Sequence, residues 1–191
     1  MDLQKLAELV PRYYDMHPVY QSVWFGGKEI IHGSRDNMFP RMEKIHKEDI
    51  KDKVVFDIGC NLGAASFWAI ENGAKECIGI DVAKQGVELA NTIAKEVGAN
   101  CSFEVWDFGQ PTPKRGDVAF CFACHDDISK GKKNDILLAN LKKYDVVYFE
   151  THLKGTFDNW DMPQELKDGF NCEYLGETGE GNLRRDFYRL T

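Results

Sequence analysis

The fold of this chain is decided by the stretch Lys53-Val-Val-Phe-Asp-Ile-Gly-Cys-Asn-Leu-Gly63. The apolar run Val54–Ile58 predicts a buried β-strand, and Gly59 and Gly63 predict a tight turn that leads into a helix. A second apolar run ends at Asp81, about one strand–helix repeat later. The pattern predicts a parallel sheet that holds an adenosine-type ligand at the carboxyl ends of its strands.

Short apolar runs alternate with helical patterns from residue 53 onward. Several runs are almost continuously apolar, which is typical of parallel strands covered on both faces. Gly73 and Gly98 follow two of the helical patterns, where glycine commonly ends a helix. The predicted strands are Val54–Ile58, Glu76–Ile80, Cys101–Val105, Val118–Phe122 and Val146–Phe149, and the predicted helices are Leu62–Asn72, Ala83–Val97 and Asn134–Lys142.

The two ends of the chain differ from this central pattern. Phe170–Glu177 and Arg184–Leu190 alternate polar and apolar residues around a glycine-rich turn, which predicts an antiparallel C-terminal hairpin. Residues 1–52 predict an N-terminal segment of helices with an irregular stretch at 18–37. We therefore expect an α/β fold over residues 53–191, with helices on both faces of a mostly parallel sheet, preceded by a segment that could act as a lid.

Composition narrows the classes of function. The chain has 191 residues, is 43% hydrophobic and 29% charged, and contains no apolar run of the roughly 18 residues that a membrane span needs. Its N-terminus lacks the pattern of a secretory signal and its six cysteines lie mostly in or beside apolar runs, so we expect a cytoplasmic protein with reduced thiols and no membrane partner. The net charge of −7 disfavours a broad nucleic-acid interface, although the lysines at 130–133 leave one possible.

Polar side chains follow every predicted parallel strand. Because the carboxyl ends of such strands share one edge of a sheet, these side chains should lie near one another. Asp81 is placed to accept hydrogen bonds from the two hydroxyl groups of a ribose, and Asp107 beside Phe108 is placed to hold an adenine amino group and ring. The set is Asn61, Asp81, Asp107, His125 with Asp126, and Glu150 with His152.

The glycine turn discriminates between cofactors. Dinucleotide sites use G-x-G-x-x-G, in which the central glycine admits a pyrophosphate. This chain reads Asp57-Ile-Gly59-Cys-Asn61-Leu-Gly63, with Asn61 at that central position. A nicotinamide dinucleotide is therefore disfavoured, and a cofactor that carries an amino acid suits the acidic residue at the strand end.

Three motifs together resemble those of the class I S-adenosylmethionine-dependent methyltransferases: Asp57-x-Gly59-x-x-x-Gly63, Gly79-Ile-Asp81 and Trp106-Asp107-Phe108. The resemblance covers about residues 53–150. It implies a Rossmann-like seven-stranded sheet and S-adenosylmethionine as cofactor, with an acceptor that it does not identify. It also implies that Gly59 and Gly63 flank the methionine portion, that Asp81 binds the ribose, and that Asp107 with Phe108 binds the adenine. The full set of cofactor-binding residues that we predict in this region is Asp57, Gly59, Cys60, Asn61, Gly63, Asp81, Val82, Asp107 and Phe108.

Candidate catalytic residues follow the fourth and fifth parallel strands. His125 is the first candidate for a general base because an imidazole has a pKa near neutrality, and Glu150 and His152 come next. The sequence at this position, Phe122-Ala-Cys-His125, does not resemble the Asn/Asp-Pro-Pro-Tyr element of amino-group methyltransferases. In the N-terminal segment, Arg35 is placed to pair with the cofactor carboxylate, and Tyr20 and Trp24 to line the acceptor pocket.

Three functional alternatives remain beside methyl transfer to a small or moderate-sized acceptor. These are an RNA methyltransferase, a non-catalytic module that binds S-adenosylmethionine and, less favoured, a nicotinamide oxidoreductase. Cys121-Phe-Ala-Cys124-His125 also matches a haem-attachment pattern and offers two thiols for zinc. We do not expect haem, because its attachment needs an exported, largely helical protein. We also expect no zinc or other metal, because residues three apart on a strand face opposite sides.

Overall fold

The computed structural model describes residues 19, 21–34, 38–124, 134–152, 161–179 and 184–191. Nine strands lie within them: β1 (Val23–Phe25), β2 (Lys28–Ile31), β3 (Val54–Ile58), β4 (Glu76–Asp81), β5 (Cys101–Val105), β6 (Val118–Phe122), β7 (Val146–Glu150), β8 (Cys172–Thr178) and β9 (Arg185–Leu190). The helices are α1 (Met38–Met42), α2 (Lys47–Ile50), α3 (Ala64–Glu71), α4 (Lys84–Val97), α5 (Asn134–Leu141) and α6 (Gln164–Gly169).

Seven of the strands form one sheet, in the order β5-β4-β3-β6-β7-β9-β8. The pairs among β3 to β7 are parallel, whereas β9 runs antiparallel to both β7 and β8. The carboxyl ends of the five parallel strands therefore share one edge of the sheet. The predicted fold class is confirmed, including its C-terminal antiparallel hairpin.

Helices cover both faces of this sheet because its strands place apolar side chains on each side. On one face, Phe67 of α3 and Ile93 of α4 pack into a cluster with side chains of the N-terminal segment. On the other face, Leu137 of α5 and Leu166 of α6 pack around Phe56. The two buried clusters hold the sheet as a fixed platform for its carboxyl edge.

The N-terminal segment contains a hairpin where the sequence analysis expected an irregular stretch. Strands β1 and β2 pair antiparallel across Gly26 and Gly27, which both have positive φ. The Phe25 ring meets the Phe67 ring edge-on, with centroids 6.1 Å apart. The Gly26 amide donates to Glu71 Oε1 at 2.6 Å, so the hairpin is tied to α3.

The next part of the N-terminal segment is tied to the opposite half of the sheet. The Tyr148 hydroxyl donates to Asp49 Oδ2 at 2.7 Å, and Arg189 Nε reaches the same oxygen at 2.7 Å. Burial opposes ionisation of Asp49, but these two hydrogen bonds outweigh it and lower the pKa of the carboxyl. Helix α2 is thereby fixed to β7 and β9. None of the helices in the described ranges is long and apolar enough to cross a membrane.

Candidate functional site

The glycine turn after β3 is held against the end of β4. Gly59, Asn61 and Gly63 all have positive φ (70°, 51° and 80°), so the chain reverses sharply before α3 begins. The amides of Gly59 and Cys60 both donate to the Ile80 carbonyl at 2.9 Å. The turn therefore takes its position from two adjacent strands of the sheet.

Close packing explains why glycine occupies the two ends of this turn. A Cβ added at Gly63 would lie 2.4 Å from the Phe103 ring, and one at Gly59 would lie 3.0 Å from Cys124 Cβ. Both positions also have a backbone conformation that glycine adopts without strain. Side chains there would displace the turn, so the glycines set its shape.

Asp57 lies at the base of the turn and is almost fully buried. Its Oδ2 accepts a 2.6 Å hydrogen bond from the Ser66 hydroxyl of α3. Burial raises the pKa of Asp57 from 3.8 to about 6, and the nearby negative charge of Asp81 adds to this rise. Asp57 thus links the end of β3 to α3 on either side of the turn, and it lies close enough to the predicted ribose-binding Asp81 for their charges to interact.

Asp81 ends β4 at the open edge of the sheet and is partly exposed. Its two oxygens accept hydrogen bonds from the backbone amides of Asn61, at 2.9 Å, and Ala83, at 2.8 Å. These bonds fix the orientation of the carboxylate. Each carboxylate oxygen carries two lone pairs, so capacity remains to accept from the hydroxyl groups of a ribose.

Exposed apolar side chains flank Asp81. Val82 is 69% exposed and Trp106 is 39% exposed, and Val105 beside them is also open to solvent. These are three of the five large apolar side chains that stand exposed in the described part of the chain. An apolar surface next to a fixed carboxylate matches the two sides of an adenosine, and such patches commonly mark binding sites.

The aromatic residue exposed at this position is Trp106, whereas the sequence analysis predicted Phe108. Phe108 is only 3% exposed, and its ring packs in the core against Phe56 with centroids 6.1 Å apart. Asp107 between them is exposed, and its Oδ1 accepts from the Gly109 amide at 2.8 Å. Trp106 is therefore the better candidate to cover an adenine ring.

Glu150 lies at the end of β7 in a buried ion-pair cluster. It is 0% exposed, and Arg41 of α1 donates to both of its oxygens, from Nε at 3.0 Å and from Nη2 at 2.6 Å. Arg185 of β9 approaches Oε2 at 3.3 Å, and the Thr178 hydroxyl donates to Oε1. We name these four residues the Glu150 cluster. This setting favours an organising role for Glu150 over the role of base that the sequence suggested.

The other predicted residues of the acceptor side are placed in part. His152 lies two residues beyond β7 and is half-buried. Trp24 lies in β1 with its ring edge-on to Phe39, at a centroid distance of 5.8 Å. His125, Arg35 and Tyr20 lie outside the described residues, so their roles stay predictions.

The two cysteines at the end of β6 lie on the same side of the chain, and our expectation that they face opposite sides was wrong. β6 ends at Phe122, and Ala123 then turns the backbone with a φ of 53°. Cys124 Sγ consequently lies 3.6 Å from Cys121 Sγ. All six cysteines are free thiols, and no group of three or more potential metal ligands occurs among the described residues.

The carboxyl edge of β3, β4 and β5 therefore combines a glycine turn, a fixed carboxylate and an exposed apolar surface. These features are compatible with the predicted placement of S-adenosylmethionine, which puts the methionine portion at the turn and the ribose at Asp81, and they leave an exposed apolar surface at Val82 and Trp106 for the adenine. The fold and this edge define an adenosine-binding α/β domain of the class I methyltransferase type.

Comparison with known proteins identifies the family. Residues 49–172, well over half of the chain, match the methyltransferase domain family, and the chain belongs to it. The predicted class of S-adenosylmethionine-dependent methyltransferases and the predicted cofactor are thereby confirmed. A solved structure of magnesium protoporphyrin IX methyltransferase from Synechocystis with bound S-adenosylmethionine has a TM-score of 0.69 at 17% identity, and the match covers 100% of this chain and 96% of that chain.

Curated relatives match a shorter part of the chain. A ribosomal protein L11 methyltransferase of Hamiltonella defensa is 31% identical over 78 residues, which cover 40% of this chain and 26% of that protein. Protein arginine N-methyltransferase 1 of Saccharomyces cerevisiae is 33% identical over 92 residues, which cover 44% of this chain and 25% of that protein. The match thus spans about a quarter of the length of these relatives.

Sequence reasoning missed residues that act over long sequence distances. Arg41 and Arg185 had no local motif, and Arg41 is 109 residues from its partner Glu150. Trp106 was quoted within a cofactor motif but was not assigned a contact. No local pattern distinguished it from Phe108, because strand alternation ends at Val105.

Proposed function

We propose that this chain transfers the methyl group of S-adenosylmethionine to a small or moderate-sized acceptor that enters over the carboxyl ends of β6 and β7. The supporting observation is that two different parts of the carboxyl edge of the sheet carry different kinds of side chain. The features that suit the cofactor lie on β3, β4 and β5, and the adjacent ends of β6 and β7 carry the half-buried side chains of Phe122 and His152.

The chain's own residues hold the two reactants in line. When bound, S-adenosylmethionine would supply a methyl group on a positively charged sulfur. The acceptor atom approaches the methyl carbon from the side opposite the sulfur, and the sulfur leaves as part of S-adenosylhomocysteine. The turn from Gly59 to Gly63 and the carboxylate of Asp81 fix the cofactor side. Such positioning supplies most of the rate advantage of a displacement between two bound molecules.

The first experiment is thermal unfolding in the presence of S-adenosylmethionine, S-adenosylhomocysteine or NAD. A ligand at about 100 times its dissociation constant adds roughly 2.7 kcal/mol to the stability of the folded state. We expect stabilisation by the two sulfur compounds alone. Acceptors are then screened by the formation of S-adenosylhomocysteine, and stabilisation by NAD alone would contradict the proposal.

His125 is proposed as the base that removes a proton from the acceptor. Loss of a general base lowers turnover by about 10²- to 10⁴-fold, so His125→Ala should lose turnover on this scale and keep its cofactor affinity. His32→Ala is the matched control, because His32 is exposed on the N-terminal hairpin and pairs with Glu29 at 3.0 Å. Full turnover in His125→Ala would remove this histidine from the mechanism.

The alternative acceptor class is RNA, and it is tested by the salt dependence of binding. Contacts to phosphates release counterions, so the affinity for RNA falls steeply as salt rises. The net charge of −7 favours an acceptor that needs no such interface. Tight, salt-sensitive binding of RNA together with methyl transfer to it would replace the proposed acceptor class.

A further inference from the structure

A buried asparagine of α5 organises the loop that follows β5. Asn140 is 1% exposed, although asparagine usually lies at the surface. Its Nδ2 donates to the carbonyls of Phe108, at 3.0 Å, and Gln110, at 2.8 Å. Its Oδ1 accepts from the Thr112 amide at 3.1 Å. One carboxamide thus binds three backbone groups within five consecutive residues.

Lys143, two residues beyond the end of the same helix, completes this arrangement. Its Nζ donates to Asn140 Oδ1 at 2.9 Å and also to the Thr112 carbonyl. Both polar atoms of the Asn140 side chain therefore have partners, and the carboxamide is locked in one orientation. A buried, fully bonded polar group of this kind specifies one conformation of the segment that it binds.

The organised segment begins directly after Asp107. The Gln110 amide donates to the Asp107 carbonyl at 3.0 Å, and the Gly109 amide donates to Asp107 Oδ1 at 2.8 Å. On the other side, the Trp106 amide donates to the Asp81 carbonyl at 3.0 Å. Asp107 is thus the junction between the strand edge that carries Asp81 and the loop that Asn140 holds.

We propose that Asn140 is a positioning residue for recognition of the cofactor's base: by fixing the loop over residues 108–112, it holds the Asp107 carboxylate where an adenine amino group can donate to it. This inference rests on the proposed contact between Asp107 and adenine. Asn140 is buried and its side chain is bonded to the loop backbone, so its effect would reach the base through the loop.

The test compares two ligands that differ only at the base. S-adenosylhomocysteine carries an amino group that donates to a carboxylate, whereas S-inosylhomocysteine carries an oxygen there that a carboxylate repels. We expect the protein to prefer the adenine compound, measured as the ratio of the two dissociation constants by calorimetry. Asp107→Ala should abolish this preference, and Asn140→Ala should reduce it by about tenfold, the scale of one hydrogen bond to a charged group.

Two further variants separate positioning from general destabilisation. Asn140→Asp keeps the acceptor contacts to Thr112 and Lys143 but loses both donated hydrogen bonds, so it should also lose preference for adenine. Ile93→Ala creates a cavity in α4 on the other face of the sheet and should leave the ratio unchanged. If both Asn140 variants keep the full preference, Asn140 has no positioning role.

The outcomes also separate this inference from the proposal on which it depends. If the unmodified protein binds neither compound, the cofactor assignment itself fails. If it prefers adenine and Asp107→Ala keeps that preference, Asp107 does not recognise the base and the role of Asn140 is overturned with it. If Asp107→Ala loses the preference for adenine but both Asn140 variants keep it, the cofactor site stands and the positioning role alone is overturned.

Discussion

The proposed function divides the sheet into two parts, which we name the cofactor half (β3, β4 and β5) and the acceptor half (β6, β7, β8 and β9). Each half holds an arginine that binds a glutamate through two hydrogen bonds. On the cofactor half, Arg115 binds Glu104 of β5 at 2.6 and 2.8 Å, with side chains that are 28% and 43% exposed. On the acceptor half, Arg41 binds Glu150 with similar distances, but both side chains are almost completely buried. The same pairing therefore occurs between partly solvent-exposed side chains in one half and between buried side chains in the other.

This difference shows how each half is built. The cofactor half keeps its polar strand ends accessible, since Asp81 and Asp107 lie at an open surface beside Trp106. In the acceptor half, Glu150 at the polar end of β7 binds Arg41 of α1 and Arg185 of β9, so it holds α1 against the sheet. A polar residue at the carboxyl end of a parallel strand is therefore not by itself a functional group.

The largest expected effect comes from breaking the buried pair. Arg41→Met removes two hydrogen bonds to the buried Glu150 carboxylate, whose charge Arg185 still balances. Hydrogen bonds to charged groups contribute about 1.5–3 kcal/mol each, so we expect a loss of about 3 kcal/mol or more. Arg115→Met is the matched control, and an exposed pair should lose at most about 1 kcal/mol. Unfolding in urea measures both. Equal losses in the two variants would remove the distinction between the halves.

The second effect concerns the pH dependence of stability and the buried carboxyl of Asp57. Its pKa is raised in the folded state from 3.8 to about 6, so the protonated form is favoured there. Its contribution to the free energy of unfolding is fully present below about pH 4 and is lost as pH rises through about 6. At ~1.4 kcal/mol per pKa unit, the stability lost is about 3 kcal/mol.

Asp57→Asn removes this titration while keeping the size of the side chain. Compared with the unmodified protein, the variant should gain relative stability as pH rises from 4 to 7, measured by urea unfolding at each pH. Because other carboxyl groups titrate in the same range, the difference between the two proteins is the relevant quantity. Parallel stability curves would show that Asp57 ionises normally in the folded state.

The third and smallest effect concerns cofactor affinity on the open half. Asp81→Ala should weaken the binding of S-adenosylhomocysteine by about 1–3 kcal/mol, the scale for hydrogen bonds to a charged group. The control is Asp117→Ala, because Asp117 also accepts from a backbone amide, that of Val54 at 2.9 Å, but lies directly before β6, at the opposite end of the strand from the proposed site. Unchanged affinity in Asp81→Ala would refute the ribose assignment.

Much of the fold could be predicted from local patterns. The bounds of β3, β5 and β6 agree with those predicted, since continuous apolar runs and glycines mark strands and turns over short distances. The N-terminal hairpin was missed although Gly26-Gly27 between short strands is a signal for a two-residue turn. The three apolar residues of Val23–Phe25 and the two at Ile30 and Ile31 gave too little alternation to outweigh the charged residues around them.

The site was predictable where its residues belong to one short stretch. Gly59, Asn61 and Asp81 come together because one turn and two neighbouring strands place them. The Glu150 cluster was not predictable, since its members come from α1, β7, β8 and β9 and meet only in the folded chain. The exposed position of Trp106 and the buried position of Phe108 were also not predictable, because strand alternation ends at Val105.

The position of β9 has a consequence for the order of folding. β9 follows all the other strands of the sheet in sequence, yet it lies between β7 and β8. During synthesis, β7 therefore presents an open edge until residues 185–190 have left the ribosome, and open edges favour pairing with other chains. Arg185 arrives with the same strand, so the charge of Glu150 is fully enclosed only when the sheet is completed. Translation speed near this strand should thus influence the yield of folded protein.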